Sequence, residues 1–317
     1  MSTVTTNVVE IDKVVIKFAG DSGDGMQLTG TQFTDTSALL GNDIATFPDF
    51  PAEIRAPAGT VAGVSGFQVH IGRVRIKTPG DEADVLVAMN PAALFANLKV
   101  IKKGGTIICD EDSFTKRDFQ KAEWNADPFT DGTLEGYQIV RAPITSMTKE
   151  ALKGMGLDMK TMTRCKNMFC LGMVYWMFSR PLDSTEQFLN TKFAKSPELI
   201  EANRKALYAG HAFAETIEVL TSSYTILPAD LEPGKYRNIT GNQATAWGFL
   251  AASQNSGREL FMGTYPITPA SDILHELVKH KQFGVKIFQA EDEIAGVCSA
   301  LGAAFAGSIG ITTTSGP

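Results

Sequence analysis

Short apolar runs recur through the first two thirds of the chain, at residues 14–19, 65–71, 84–89, 106–110 and 138–141. Each is rich in Val and Ile and is bounded by Gly, Pro, Asn or Asp, the pattern of strands buried in a sheet. Between them lie stretches with helical spacing. One covers 27–40 and stops at Gly41; another covers 91–100, with Asn90 as its N-cap and Pro91 in its first turn. The alternation predicts a doubly wound α/β fold with a mostly parallel sheet. Residues 166–178 are apolar almost throughout, but too short and too interrupted to cross a bilayer, and read as a core helix. Further helices are expected at 185–194 and 197–220.

The last third repeats the alternation. Residues 259–263, 284–288 and 308–312 read as strands. After the first comes Gly263-Thr264-Tyr265-Pro266-Ile267-Thr268-Pro269-Ala270-Ser271, in which two prolines force a turn. Thr268 is expected to cap the next helix, with Pro269 at its first position and Ile273, Leu274, Leu277 and Val278 along its buried face. After the second strand, Gln289-Ala290-Glu291-Asp292-Glu293 opens a helix of small residues over 295–307, its acids suited to the positive end of the dipole. Turns after successive parallel strands share the carboxyl edge, where open α/β sheets bind ligands, so Tyr265, Thr268 and Glu291 should lie near one another. Taken singly, Thr268 reads as a cap and Glu291, Asp292 and Glu293 as dipole partners. A Pro- and Gly-bearing stretch separates the two patterns. The organisation is therefore a domain over 1–222, a linker over 223–241 and a second domain over 242–317.

The remaining segments are less regular. Residues 46–60 contain three prolines and little periodicity and read as a long loop, in which Glu53 and Arg55 anchor the backbone or meet another chain. Residues 113–136 are polar and irregular, and His70 reads as structural. A chain of 317 residues with 44% hydrophobic and 20% charged residues suits two ordinary domains, and its net charge of −6 argues against nucleic acid or an anionic membrane as the main partner. No apolar run reaches the length of a membrane span and the first residues lack a signal-peptide pattern, so a cytoplasmic location is expected. Cys109, Cys165, Cys170 and Cys298 fall within apolar patterns and read as buried, reduced thiols. Their spacing matches no cluster or zinc motif.

A strand, the loop Gly20-Asp21-Ser22-Gly23-Asp24-Gly25 and a helix form the setting in which backbone N–H groups cradle phosphates. The glycine order is G-x-x-G-x-G rather than the dinucleotide order G-x-G-x-x-G, and Asp21 and Asp24 would oppose a pyrophosphate. A tight structural turn or a domain contact is the favoured reading over a dinucleotide-dependent dehydrogenase.

Taken together, Tyr265-Pro266-Ile267-Thr268-Pro269-Ala270-Ser271, then Gln289-Ala290-Glu291-Asp292-Glu293, then Thr312-Thr313-Thr314-Ser315-Gly316-Pro317 resemble the α-subunit pyrimidine-binding domain of thiamine-diphosphate-dependent 2-oxoacid:ferredoxin oxidoreductases. Residues 1–222 resemble the γ domain of the same enzymes, on the 20–25 loop, Phe47-Pro48-Asp49-Phe50 and Lys166-Asn167-Met168-Phe169. A γ domain ahead of an α domain is similar to the two-subunit 2-oxoglutarate type. The resemblance implies that Thr268, helped by Tyr265, contacts the 2-oxoacid. It also implies that Glu291 bonds the aminopyrimidine ring and favours its imino tautomer, with Tyr265, Pro266 and Ile267 beside the cofactor and Glu293 as the second choice of glutamate. Gly23-Asp24-Gly25 matches the start of the motif that holds Mg²⁺ and pyrophosphate, but residues 50–55, where its Asn should fall, contain none. No metal site is therefore expected here. The resemblance puts Mg²⁺, the pyrophosphate and the iron–sulfur cluster on a β subunit, makes coenzyme A the acyl acceptor and ferredoxin the electron acceptor, and leaves the rest of the α subunit either to a longer chain of which this is a fragment or to a separate chain. The alternative is a non-catalytic assembly subunit, in which a partner makes every cofactor contact.

Overall fold

In the strand of residues Ala83–Ala88, Val85 and Val87 face one hydrophobic core while Leu86 and Ala88 face another. That two-residue alternation between two apolar layers is what a sheet covered on both faces requires, and it explains why the runs read as continuously apolar. The computed structural model describes residues 7–51, 56–217, 219–220 and 222–315. They fall in two compact units, Met1–Pro233 and Gly234–Pro317.

The strands of the first unit are β1 (Asn7–Glu10), β2 (Lys13–Asp21), β3 (Asp43–Asp49), β4 (Val64–Gly72), β5 (Ala83–Ala88), β6 (Ile101–Asp110), β7 (Gln138–Ala142) and β8 (Ser222–Thr225). Six of them form one sheet in the order β3-β4-β2-β5-β6-β7. Pairing is parallel from β2 to β7 and antiparallel where β4 meets β2 and β3. The sequence pattern carries no strand direction, so this antiparallel half was not visible in it. Residues 46–49, expected in a loop, belong to β3. Pro48 is tolerated because β3 is an edge strand, whose outer side needs no N–H. Glu53 and Arg55 lie outside the described residues. Ser222–Thr225, at the start of the Pro- and Gly-bearing stretch, pair in parallel with β1, and residues 226–240 carry no regular element.

The helices of this unit are α1 (Met26–Leu39), α2 (Pro91–Asn97), α3 (Lys116–Lys121), α4 (Ile144–Ala151), α5 (Met159–Arg164), α6 (Lys166–Met177), α7 (Asp183–Lys192) and α8 (Pro197–Thr216). Every residue of α6 is buried, which accounts for its unbroken apolar sequence. A Cβ on Gly210 of α8 would run into the Phe169 carbonyl of α6, so glycine sets how closely these helices pack. His70 is buried with Nδ1 2.7 Å from the Thr78 carbonyl, a structural placement.

The second unit holds α9 (Gly241–Ser256), β9 (Leu260–Thr264), α10 (Ser271–Val278), β10 (Lys286–Gln289), α11 (Glu293–Phe305) and β11 (Ile309–Ile311). Its parallel sheet has the order β10-β9-β11, with a core from Ala246 and Leu250 of α9, Leu260 and Met262 of β9, and Ile273, Leu274 and Leu277 of α10. The small residues of α11 serve close packing: a Cβ on Gly263 would strike Ser299 Oγ and Gly296 O. The opposite face of α11 exposes Ile294, Leu301 and Phe305, the last 98% accessible. Cys298 is on the exposed side as well, correcting its expected burial, whereas Cys109, Cys165 and Cys170 are buried.

Candidate functional site

β9 is central in its sheet and β10 and β11 flank it in parallel, so the turns after all three leave from one carboxyl edge. The Ala290 N–H donates to the Thr264 carbonyl at 2.7 Å, extending the ladder by one residue and starting Glu291 beside the turn that follows β9. That turn is held at its base by Ser271, whose Oγ accepts the Ile267 N–H at 2.8 Å and donates to the Ile267 carbonyl at 3.0 Å. Asn242 of α9 donates to the Pro269 carbonyl at 3.2 Å.

Thr268 is not the cap expected of it. The Thr268–Pro269 peptide is cis, α10 begins at Ser271, and the residue before it, Ala270, supplies no side-chain cap. Ser271 takes over the hydrogen bonding at this end, and the Thr268 hydroxyl is exposed with no hydrogen-bond partner among the described residues. On the β10 side Asp292 is the N-cap of α11 and accepts the Ala295 N–H at 2.8 Å, and Glu293 stands in the first turn of that helix. Glu291 and Glu293 are exposed and their carboxylates bond to nothing in the described residues. Pro266 is exposed and has no N–H to give, and the polar backbone groups of Ile267 are both used by Ser271.

The loop after β11 supplies groups that reading the sequence missed. Thr313, Thr314 and Ser315 reach across to Thr264, Tyr265 and Thr268 respectively. A run of four hydroxyl residues, 312–315, directly after a strand was the available signal. Gly316 and Pro317 lie outside the described residues.

This arrangement can do specific chemistry. A carboxylate with no internal partner is an acceptor for a ring N–H, and a free hydroxyl is a donor for a carboxylate or carbonyl oxygen. At this edge the Glu291 carboxylate and the Thr268 hydroxyl are exposed groups of these two kinds.

The glycine loop of the first unit is built oppositely. Gly25, at φ 76°, opens α1, and a Cβ there would lie 2.6 Å from Asn167 Nδ2. Asp24 turns inward: it accepts the Asp21 N–H at 3.0 Å and pairs with Lys166 Nζ at 2.8 Å, both side chains largely buried. Asp21 accepts the Gly59 N–H at 3.0 Å; burial pushes its carboxyl above the usual range, and that N–H partly offsets the rise. Asp110, at the end of β6, is also pushed up by burial, against hydrogen bonds from the Thr145 hydroxyl and N–H. Asp24 thus takes the Asp21 N–H and the Lys166 ammonium, and Asp21 takes the Gly59 N–H, so donors that an anion at this loop would use are engaged from within the unit. Among the described residues no group of His, Cys, Asp and Glu could hold a metal ion, and no helix is long and apolar enough to cross a membrane.

Residues 15–213 match the family model described as pyruvate ferredoxin/flavodoxin oxidoreductase, and residues 255–317 match that of its thiamine-diphosphate-binding domain. The chain is 53% identical to the 2-oxoglutarate oxidoreductase subunit KorA of Mycobacterium tuberculosis, over 97% of this chain and 47% of the relative. It is 25% identical to a 2-oxoacid:ferredoxin oxidoreductase subunit alpha of Aeropyrum pernix, over 96% of this chain and 50% of the relative. It therefore spans about half the length of the curated relatives it matches. Among solved structures it is similar to the 2-oxoglutarate:ferredoxin oxidoreductase of Magnetococcus marinus, solved with 2-oxoglutarate, coenzyme A and succinyl-CoA bound. The TM-score is 0.72 at 28% identity, over 97% of this chain and 48% of that one.

Proposed function

The chain belongs to the pyruvate ferredoxin/flavodoxin oxidoreductase family, and we propose that it is the pyrimidine-holding part of a 2-oxoacid:ferredoxin oxidoreductase acting on 2-oxoglutarate. The observation that carries this reading is the contrast at the strand-end edge of the second unit. There Ser271, Asp292, Asn242, Thr313, Thr314 and Ser315 are used within the protein, while the Thr268 hydroxyl and the Glu291 carboxylate are left for a ligand.

In the proposed reaction a 2-oxoacid and coenzyme A give acyl-CoA, CO₂ and a proton, and two electrons leave singly to two ferredoxins. When bound, thiamine diphosphate supplies the nucleophilic carbon and the electron sink that decarboxylation needs. Glu291 accepts a hydrogen bond from the pyrimidine ring nitrogen and holds a proton there, which sets the ring's tautomer and matches its basicity to proton removal. Thr268 donates its hydroxyl to the oxoacid, with Tyr265 beside it. Asp292, as the cap of α11, fixes the backbone on which Glu291 stands.

The same reading assigns Mg²⁺, the pyrophosphate and the iron–sulfur cluster to a β subunit. Ferredoxin, coenzyme A and the rest of the α subunit complete the assembly. Four free thiols suit the reducing cytoplasm.

The test is anaerobic reduction of ferredoxin by the chain co-purified with its partners, given coenzyme A and either 2-oxoglutarate or pyruvate. Activity with 2-oxoglutarate is expected, with a fall of about a hundredfold or more in Glu291→Ala, the range for a proton-transfer group, and no comparable fall in Glu293→Ala. Full turnover in Glu291→Ala would favour an assembly role for the chain and overturn the assignment.

A further inference from the structure

β11 pairs with β9 only from Ile309–Leu260 to Ile311–Met262, and beyond that point side chains take over from the backbone ladder. Thr313 Oγ1 lies 3.0 Å from Thr264 Oγ1, which also donates to the Thr313 carbonyl at 3.2 Å. Thr314 Oγ1 lies 2.7 Å from the Tyr265 hydroxyl. Ser315 Oγ donates to the Thr268 carbonyl at 3.0 Å. As the strap advances from 313 to 315, its partners advance from 264 to 268. The first tether is anchored in the core, because Thr264 is fully buried, and the other two hold the exposed part of the turn.

We propose that Thr314 and Ser315 are positioning residues for the oxoacid: they fix the Tyr265 ring and the Thr268 peptide so that the Thr268 hydroxyl is already aimed when substrate arrives. This rests on the reading of Thr268 as an oxoacid contact. The physical reason is pre-organisation. A turn with two prolines but no ladder of its own has freedom to lose on binding, and tethers that hold it beforehand remove that cost. The Glu291 loop follows a different strand and has its own ties, the Ala290 N–H to Thr264 and the Asp292 cap, so loosening the strap affects substrate binding and not the pyrimidine contact.

The experiment uses the co-purified complex with 2-oxoglutarate as the varied substrate. Thr314→Val is expected to raise KM about three- to tenfold, the worth of one hydrogen bond, with kcat within about twofold. Thr314→Ser restores KM, and Ser315→Ala moves it in the same direction as Thr314→Val. In a Thr268→Val background, Thr314→Val adds nothing further, because the group being aimed is gone. Amide exchange over residues 265–271 rises in Thr314→Val and Ser315→Ala while that over 286–293 stays unchanged. Unchanged KM in both strap variants, beside a raised KM in Thr268→Val, overturns the proposal. So does a fall in kcat at constant KM. If Thr268→Val itself leaves KM unchanged while exchange rises in the strap variants, the oxoacid reading of Thr268 is what fails, and the strap is then only structural.

Discussion

The Gly20–Gly25 loop and the Tyr265–Ser271 turn are the same device in two settings. Each follows a parallel strand, leads into a helix and sits at the carboxyl edge of a sheet. They differ in where their polar groups go. In the first, Asp24 is tied to Lys166 and to the Asp21 N–H, and Asp21 to the Gly59 N–H, so both carboxylates of the loop are closed off within the unit. In the second, neighbours bind the backbone and the flanking hydroxyls, and Thr268 and Glu291 remain free. The location of a loop on an α/β sheet therefore makes it eligible to bind a ligand, and the accounting of its donors and acceptors decides whether it can.

The comparison breaks most sharply at Lys166. Its ammonium and the Asp24 carboxylate form a largely buried pair, with side chains 11% and 14% accessible. Lys166→Met leaves Asp24 without its cation and is expected to cost about 3 kcal/mol of stability in urea unfolding. Asp24→Asn in the same chain should recover most of that loss, because a buried pair is worth less than the penalty of halving it. A loss that the double variant fails to recover would mean that the loop needs charge for something other than its own structure.

Thr268 is the matching change on the open side. Thr268→Val is expected to leave unfolding within about 0.5 kcal/mol of the parent, as an exposed group without partners should. It should raise KM for the oxoacid about tenfold or more, the worth of a hydrogen bond to a charged group. Stability measured by denaturant and KM measured by ferredoxin reduction thus separate the two loops: one change moves stability, the other moves KM. A marked loss of stability in Thr268→Val would place Thr268 with the closed loop and remove the contrast.

Much of this architecture was legible in the chain, for physical reasons that also explain the gaps. Buried parallel strands such as β5 must be apolar on both faces, so they stand out as runs. The edge strand β3 does not, because Pro48 and a half-exposed face disguise it. The helix α9 escaped notice because only Ala246, Leu250 and Ser253 of its residues are buried, leaving little amphipathic signal. At the site, Tyr265, Thr268 and Glu291 could be assigned to one edge once the strand–helix alternation is read as a parallel sheet. The strap could not, because Thr314 meets Tyr265 only once β11 has docked beside β9 rather than beside β10, and local pattern does not encode that choice. The same limit explains Thr268: the cap expected from its sequence position was lost to Ser271, whose role depends on the path of the turn.

The second unit also contains a closed acid of its own, which gives a finer test confined to low pH. Glu276 of α10 is almost fully buried and accepts hydrogen bonds from Lys279 Nζ at 2.8 Å and from Trp247 Nε1 of α9 at 2.9 Å, with His280 Nε2 at 3.2 Å. The Lys279 contact, then the Trp247 N–H, holds its carboxyl well below the usual range, at about 2, against the opposing effect of burial. A carboxyl whose pKa is lower folded than unfolded contributes stability above its unfolded value, near 4.5, and loses it as pH falls toward 2. Trp247 reports on this pair because its indole N–H is one of the donors. Between pH 5 and 2, Trp247 emission should follow a loosening of α9 from α10 in the parent chain. Glu276→Gln should already be weakened at neutral pH and should lose this part of the acid dependence. Glu291→Gln, which removes a carboxylate with no internal partner, should leave the acid transition where it was. If Glu291→Gln shifted the transition as far as Glu276→Gln does, Glu291 would be a structural acid like Asp24, and the second loop would be closed after all.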